Sequence, residues 1–338
     1  MIISKESYMK KKKPSDQEYH VNNLRYQMIE GRKLITIPDF PKEGFYDRDD
    51  GVGWWMLTKQ FAIKSYVHHY LKILQRRKYI DTCFIDPLSS FGMIRLTKRG
   101  GKDDLVIPGT SLNAALVSLE KEKGFSAFYI NDKNPEVRRI ISKRFEALNY
   151  VNNNKLNVNI EPLEEGKVDS NKWIINVLHD IIEKFKRPNY LMIIDNQGMD
   201  IGYETIKEIK NLHEWGDIII TFHDSAFSRA LHSEKKYKWF YGIDIRKDTT
   251  IPERRKIYIK QLKSIGFGRI EELFIKSYGN FFYTLLFCCR KEISAGWLNI
   301  IKYYRTKRYK YCTDQFHKQN YDYLNRRTTI MDEFLYKK

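Results

Sequence analysis

From Lys59 onward, apolar side chains recur every three or four positions. Phe61, Ile63, Tyr66, Val67, Tyr70, Leu71 and Leu74 fall on one stripe, which predicts a helix over residues 55–76. The pattern then breaks into short β-rich runs at 79–86, 127–131, 156–160, 190–195 and 217–222, with helical stretches near 110–122, 135–148, 170–185 and 203–214 between them. Such alternation predicts a parallel sheet covered by helices on both faces. The helix at 135–148 is signalled twice: Asn134 can cap free backbone N–H groups, and Pro135 stands where a missing donor costs nothing. A fifth helix is expected over 252–265, opened by Pro252 and stopped by Gly266. The last two β-rich runs, 269–277 and 281–289, are joined by Tyr278, Gly279 and Asn280. That link is too short for a parallel crossover, so the pair is expected as an antiparallel hairpin.

Both ends depart from this rhythm. Residues 1 to about 53 are polar and broken by Pro14, Pro38 and Pro41, with a Lys10–Lys13 run and an acidic patch at Asp47, Asp49 and Asp50. They read as an arm with short local structure. From Ile293 the chain reads as helical and very basic, with Lys302, Arg305, Lys307, Arg308 and Lys310 interleaved with Tyr303, Tyr304, Tyr309 and Tyr311. The expected division is an arm at 1–54, a central α/β domain at 55–292 and a basic helical extension at 293–338.

Charge adds a partner class. The 338 residues carry a net +18, which points to a polyanionic partner, and 23 Tyr with 19 Phe supply rings that either stack on bases or fill a core. Further basic clusters stand at Arg76, Arg77 and Lys78, at Arg95, Lys98, Arg99 and Lys102, and at Lys235, Lys236 and Lys238. If several share one face they would track a phosphate backbone; otherwise they are a generally basic surface. Cys83, Cys288, Cys289 and Cys312 lack the paired spacing of a disulfide framework or a zinc site. With no signal-peptide pattern after Met1 and no apolar run near the roughly 20 residues of a membrane span, a reduced cytoplasmic protein without a membrane partner is expected.

Five βα units followed by a helix and a terminal hairpin is the element order of the class I methyltransferase sheet, whose final strand inserts antiparallel beside its neighbour. The expected fold is therefore α/β: a Rossmann-like sheet of five parallel strands plus that hairpin. In open sheets of this kind ligands lie outside the carboxyl ends of the strands. The polar residues there are Asp86-Pro87-Leu88-Ser89-Ser90-Phe91-Gly92, Asn131-Asp132, Glu161 and Asp195-Asn196-Gln197-Gly198. An adenosyl cofactor needs small residues at the first turn, an acid after the second strand for the ribose hydroxyls, and polar groups near the adenine. Asp132 falls at the position of that acid. Asp86 is placed for the amino-acid moiety of S-adenosylmethionine, and Asp195 near the sulfonium and the acceptor. An acid at a strand end also serves as a helix cap or turn former.

The segment Lys59–Tyr70, the turn from Phe84-Ile85-Asp86 to Gly92, Pro108-Gly109-Thr110-Ser111 and Ile130-Asn131-Asp132 resemble the three-Cys-motif partner family of methyltransferase-like proteins. That family has a Lys-containing helix, a strand ending in Asp-x-Phe-Ala-Gly-x-Gly, then Pro-Gly-Ser. The resemblance covers roughly residues 55–290 and implies a class I fold, S-adenosylmethionine binding and a separate protein partner that carries the cysteines. Ser89 and Ser90 stand where the family has Ala and Gly, and Asp195-Asn196-Gln197-Gly198 departs from its Asp-Pro. The latter also fails the [Asp/Asn]-Pro-Pro-[Tyr/Phe] pattern of amino-methyltransferases, which disfavours methylation of an exocyclic base nitrogen.

The expected cofactor set is thus Asp86, Pro87, Leu88, Ser89, Gly92, Asn131, Asp132, Glu161, Asp195 and Asn196. Asp195 and His223 are the catalytic candidates, His223 as a base oriented by Asp224 or as an ordinary loop histidine. Trp54 and Trp55 either pack or cover a pocket; His68 and His69 have the wrong spacing for two metal ligands on one face; Cys83 reads as core. The function expected is methyl transfer from S-adenosylmethionine to a nucleic acid. The alternative is a non-catalytic nucleic-acid-binding protein whose cofactor turn has degenerated. A nuclease using Asp47, Asp49 and Asp50 with a divalent cation is a weaker reading, and no Gly-x-Gly-x-x-Gly supports a nicotinamide enzyme.

Overall fold

The described residues form a seven-stranded sheet and a separate two-stranded ribbon. In the computed structural model, which describes residues 15–46, 53–77, 80–96, 105–160, 166–224, 234–246, 248–276, 282–289 and 315–324, the strands are β1 (Asp81–Asp86), β2 (Met93–Arg95), β3 (Val106–Pro108), β4 (Ala127–Ile130), β5 (Val158–Ile160), β6 (Pro188–Ile194), β7 (Gly216–Phe222), β8 (Arg269–Lys276) and β9 (Phe282–Cys289). The helices are α1 (Asp16–Thr36), α2 (Trp55–Leu74), α3 (Thr110–Leu119), α4 (Pro135–Val151), α5 (Ser170–Lys184), α6 (Tyr203–Leu212), α7 (Glu234–Tyr241), α8 (Ile251–Ser264) and α9 (residues 315–324).

The central sheet runs β5-β4-β1-β6-β7-β9-β8. The first five are parallel, and β9 enters antiparallel between β7 and β8. Chain order turns back at β1, which pairs with β4 on one side and β6 on the other. The expected parallel sheet and antiparallel hairpin are both present, but β2 and β3 form a separate ribbon within the segment expected as a long loop.

Side chains alternate between two cores, which is why these strands read as unbroken apolar runs. On β1, Phe84 faces one core and Cys83 and Ile85 the other; on β6, Leu191 and Ile193 oppose Tyr190, Met192 and Ile194. Helices α1 to α4 line the first core and α5 to α8 the second. Asn134 caps α4 as expected, its side chain accepting from Glu136 N, with Pro135 following.

The reading of residues 16–36 as part of an irregular arm is corrected. They form a 21-residue helix opened by a capping box between Ser15 and Glu18. Val21, Leu24 and Met28 enter the first core. The helix escaped the apolar pattern because its buried face also carries His20 and Gln27, the latter donating to Asn113 Oδ1 at 2.8 Å. Gly31 lets α1 lie directly on β3: a Cβ there would sit 2.0 Å from the Val106 carbonyl oxygen. At the far end of the chain, α9 joins the same region, where His317 bonds Thr58 at 2.7 Å.

Candidate active site at the carboxyl edge of the sheet

Strand β1 ends at Asp86, and the chain turns sharply to reach Gly92. Ser90 (φ 53°) and Gly92 (φ 72°) both adopt left-handed backbone. At Gly92 a Cβ would meet Ile141 Cδ1 at 2.6 Å, so glycine answers both the conformation and the packing. At Ser90 the same conformation is held by a residue with a Cβ, where the resembling family has glycine.

A single cation anchors this turn from below. Arg144 of α4 is fully buried and donates to the carbonyls of Pro41, Glu43, Gly44 and Phe91. Its guanidinium also packs on Phe40 and Phe45, with ring centroids 5.3 and 5.1 Å away. No described acid forms a salt bridge with it. Burial pushes its pKa down to about 10, so it remains charged at neutral pH. Arg144 therefore binds residues 41–44, the β1 turn and α4 into one unit.

Asp86 lies under the turn, buried, accepting from Ser111 Oγ of α3 and from Leu88 N at 3.3 Å. Burial drives its carboxyl up to about 7; the Ser111 bond opposes this and the nearby Asp195 reinforces it. Asp132, at the end of β4, accepts from Ser90 N at 3.1 Å with one oxygen and from Asn134 N at 2.9 Å with the other. Burial raises its pKa, against those two bonds. Each of its oxygens keeps acceptor capacity for a further donor.

The cavity beside this turn is narrow, about 40 Å³. Lys59, Ser89, Ser90, Gly109, Thr110, Asp195, Thr221, His223, Trp55 and Tyr283 line it. Of the expected residues it brings together Ser89, Gly92, Asp195 and His223. Asp86, Pro87, Leu88, Asn131, Asp132 and Asn196 do not line it. Asn131 and Asn196 are fully buried, and Asn196 Oδ1 accepts from Ile201 N at 3.2 Å. Asn131 Oδ1 and Asn196 Nδ2 have no hydrogen-bond partner among the described residues. Pro87 contributes its carbonyl to Ser170 Oγ at 3.0 Å, and Leu88 packs against the second core. Glu161 lies outside the described residues, as do Asp47, Asp49 and Asp50.

Asp195 is the hub of the cavity. Lys59 Nζ donates to one of its oxygens and Thr221 Oγ1 to the other, the latter at 2.8 Å. Burial alone would raise this carboxyl, but Lys59 and Thr221 hold it below the usual carboxylate range. The Lys59 side chain is only 4% exposed, and its ammonium also lies 5.9 Å from the Tyr283 ring centre. The pairing was not expected from the sequence, which carries a signal only for the burial of Lys59: it sits at the positions of the α2 apolar stripe, four residues before Ile63 and seven before Tyr66.

His223 lines the cavity and lies against Tyr283, ring centroids 5.6 Å apart. The expectation that Asp224 orients it is corrected. Asp224 gives one oxygen to Arg255 and the other to Thr284 at 2.7 Å, knitting β7 to α8 and β9. Trp55 contacts Tyr283 at 5.2 Å and walls the cavity, whereas Trp54 packs on Tyr321 at 5.2 Å. Cys83, Cys288 and Cys289 are buried thiols whose pKa values burial pushes up, the opposite of an activated nucleophile. Among the described residues no group of three His, Cys, Asp or Glu could hold a metal ion, and no helix is long and apolar enough to cross a membrane.

No protein-family model and no curated protein matches the chain. Several solved structures do. A Legionella pneumophila protein of family model DUF519 is 11% identical over 73% of this chain and 92% of its own, with a TM-score of 0.43. Magnesium protoporphyrin IX methyltransferase of Synechocystis PCC 6803 with bound SAH is 13% identical over 80% and 99%, with a TM-score of 0.36. The N-terminal domain of EvdMO1, crystallised in the presence of SAH and D-fucose, is 11% identical over 79% and 96%, also at 0.36. The resemblance to the three-Cys-motif partner family therefore rests on its short motifs alone.

Proposed function

We propose that this chain is a class I methyltransferase that takes its methyl group from S-adenosylmethionine and passes it to a nucleic acid. The observation that carries the reading is the sheet itself. Its order β5-β4-β1-β6-β7-β9-β8, with β9 antiparallel, is that of the class I methyltransferase sheet, and the cavity opens at the carboxyl ends beside the turning point between β1 and β6. The net charge of +18 favours a polyanionic acceptor.

The residues present fit the cofactor in kind. Asp132 stands at the end of the strand next to β1 with acceptor capacity for ribose hydroxyls. Lys59 and Asp195 offer opposite charges for an amino-acid zwitterion, and the first turn of α3 at Thr110 reaches the same cavity, whereas the Gly109 N–H is taken by the Gly92 carbonyl at 2.7 Å. When bound, S-adenosylmethionine supplies a sulfonium methyl electrophile. The protein's part is to hold the acceptor in line with it and exclude water, with Trp55, Tyr283 and His223 forming the apolar and aromatic wall.

Calorimetric titration with S-adenosylmethionine and S-adenosylhomocysteine tests this. The expected result is micromolar binding that Asp132→Ala abolishes in folded protein. A specific observation favours the non-catalytic alternative: Ser90 replaces the turn glycine, its N–H already bonds Asp132, and a cavity of about 40 Å³ must widen before a cofactor enters. Absence of heat with either ligand, in folded protein, would decide for that alternative.

A further inference from the structure

The opposite edge of the sheet carries a second concave feature, apart from the candidate active site. Where β1, β6 and β7 begin, a groove of about 860 Å³ opens between the chain segments that lead into them. Arg76 and Arg77 come from the exit of α2, Lys186 and Arg187 from the exit of α5, and His213 and Trp215 from the link between α6 and β7. None of the residues that line it is acidic.

The four cations are exposed, and none forms a salt bridge with a described acid. Cations beyond helix C-termini also offset the helix dipole. That effect accounts for their sign at the ends of α2 and α5 but not for Trp215, which stands 42% exposed at the entry to β7, next in sheet order after the β6 entry that carries Lys186 and Arg187. His213 is half-buried and its Nε2 bonds the Pro188 carbonyl at 2.9 Å, which fixes the floor on which Trp215 is mounted. A cationic wall with no salt bridge to a described acid and one exposed indole are parts from which single-stranded nucleic acid sites are built: cations follow the phosphates and a flat ring stacks a base without reading it.

We propose that this groove binds a single-stranded polynucleotide, with Arg76, Arg77, Lys186 and Arg187 on consecutive phosphates and Trp215 stacked on a base. Strand β6 has seven residues, so the groove lies roughly 20 Å from the carboxyl edge at about 3.3 Å per residue. The bound segment is therefore an anchor remote from the candidate active site. The inference stands whether or not that site transfers methyl groups.

The test is fluorescence-anisotropy titration of fluorescein-labelled 12-nucleotide oligouridylate and oligothymidylate with the full chain, at several salt concentrations. Trp215→Ala is expected to weaken binding about tenfold and Trp215→Phe to restore most of it. Arg76→Ala, Arg77→Ala, Lys186→Ala and Arg187→Ala together are expected to flatten the slope of log affinity against log salt by up to about 3, at about 0.7 per phosphate contact. Should the fourfold variant fail to fold, Lys186→Ala with Arg187→Ala alone is expected to flatten it by about 1.4. Unchanged affinity and slope in these variants would overturn the proposal. So would variants that lose binding to phosphatidylserine vesicles while oligonucleotide binding is untouched, because the groove would then serve a lipid surface.

Discussion

Arg144 offers the sharpest test of how the candidate site is held. Replacing it with Met keeps comparable volume but removes every donor, leaving the carbonyls of Pro41, which is buried, and of Glu43, Gly44 and Phe91, which are partly or wholly exposed residues, without this partner. A buried carbonyl deprived of its partner costs about 1–3 kcal/mol; with Pro41 near the upper figure and the other three, which water can reach, near the lower one, the four together cost about 4–7 kcal/mol. Against this, Met avoids the desolvation that pushes the guanidinium pKa down to about 10, a gain of about 3 kcal/mol if converted at about 1.4 kcal/mol per pKa unit. The net cost of Arg144→Met is therefore expected at about 1–4 kcal/mol. Arg144→Lys keeps the charge but offers only three donors from one point, which cannot reach four carbonyls spread around a planar fork. It should recover less than half of the loss. Urea unfolding followed by circular dichroism measures both, and the midpoint should order as wild type, Lys, then Met. Because Phe91 lies in the β1 turn, the Met variant should also weaken S-adenosylmethionine binding. A Met variant within 0.5 kcal/mol of wild type, or a Lys variant equal to wild type, would refute the reasoning: the first would mean the carbonyls find water freely, the second that charge alone matters.

Three further outcomes follow from the site. Asp86 keeps its proton to about pH 7 in the folded chain but releases it near 3.8 when unfolded, so the protein should lose stability as pH rises through that window, by about 4 kcal/mol in all, and Asp86→Asn should remove this dependence in urea titrations at pH 4.5 and 8. Lys59→Met leaves the Asp195 carboxylate with Thr221 alone and should cost about 3 kcal/mol; wild type should lose the stabilisation of that depressed carboxyl as pH falls below about 4, a loss the variant should not show. A double-mutant cycle with Asp195→Asn checks the coupling, and additive single effects would contradict the pairing. Ser90→Gly relieves a left-handed residue and should stabilise the turn by up to about 1 kcal/mol while tightening cofactor affinity, read by thermal melting and calorimetry.

Much of the architecture was legible in the chain because it depends on local periodicity. The apolar runs at 190–195 and 217–222 needed only their own residues to be strands buried on two faces, and Asn134-Pro135 capped α4 where the pattern placed it. The link expected at 278–280, which spans 277–281 between the observed strands, is too short for a crossover, so the antiparallel pairing of β8 and β9 could be read in advance. The strand-end acids could likewise be named, because the sheet's polarity follows from its connections.

Tertiary structure decided what those acids do. Asp86 and Asp132 were both read as strand-end acids facing a cofactor, one for its amino-acid moiety and one for its ribose, yet one lies buried under Ser111 and the other holds the Ser90 turn, contacts made by residues 25 and 42 positions away. Asp224 pairs with Arg255, 31 residues on, instead of its neighbour His223. Lys59 finds Asp195 across 136 residues of chain, and no local pattern encodes that meeting. Helix α1 was hidden for the same reason. Its buried His20 and Gln27 read as solvent-facing until α2, α3 and α9 supply the partners and cover. A residue's own chemistry states what it can bind, but burial and partners across the fold determine which of those options is used.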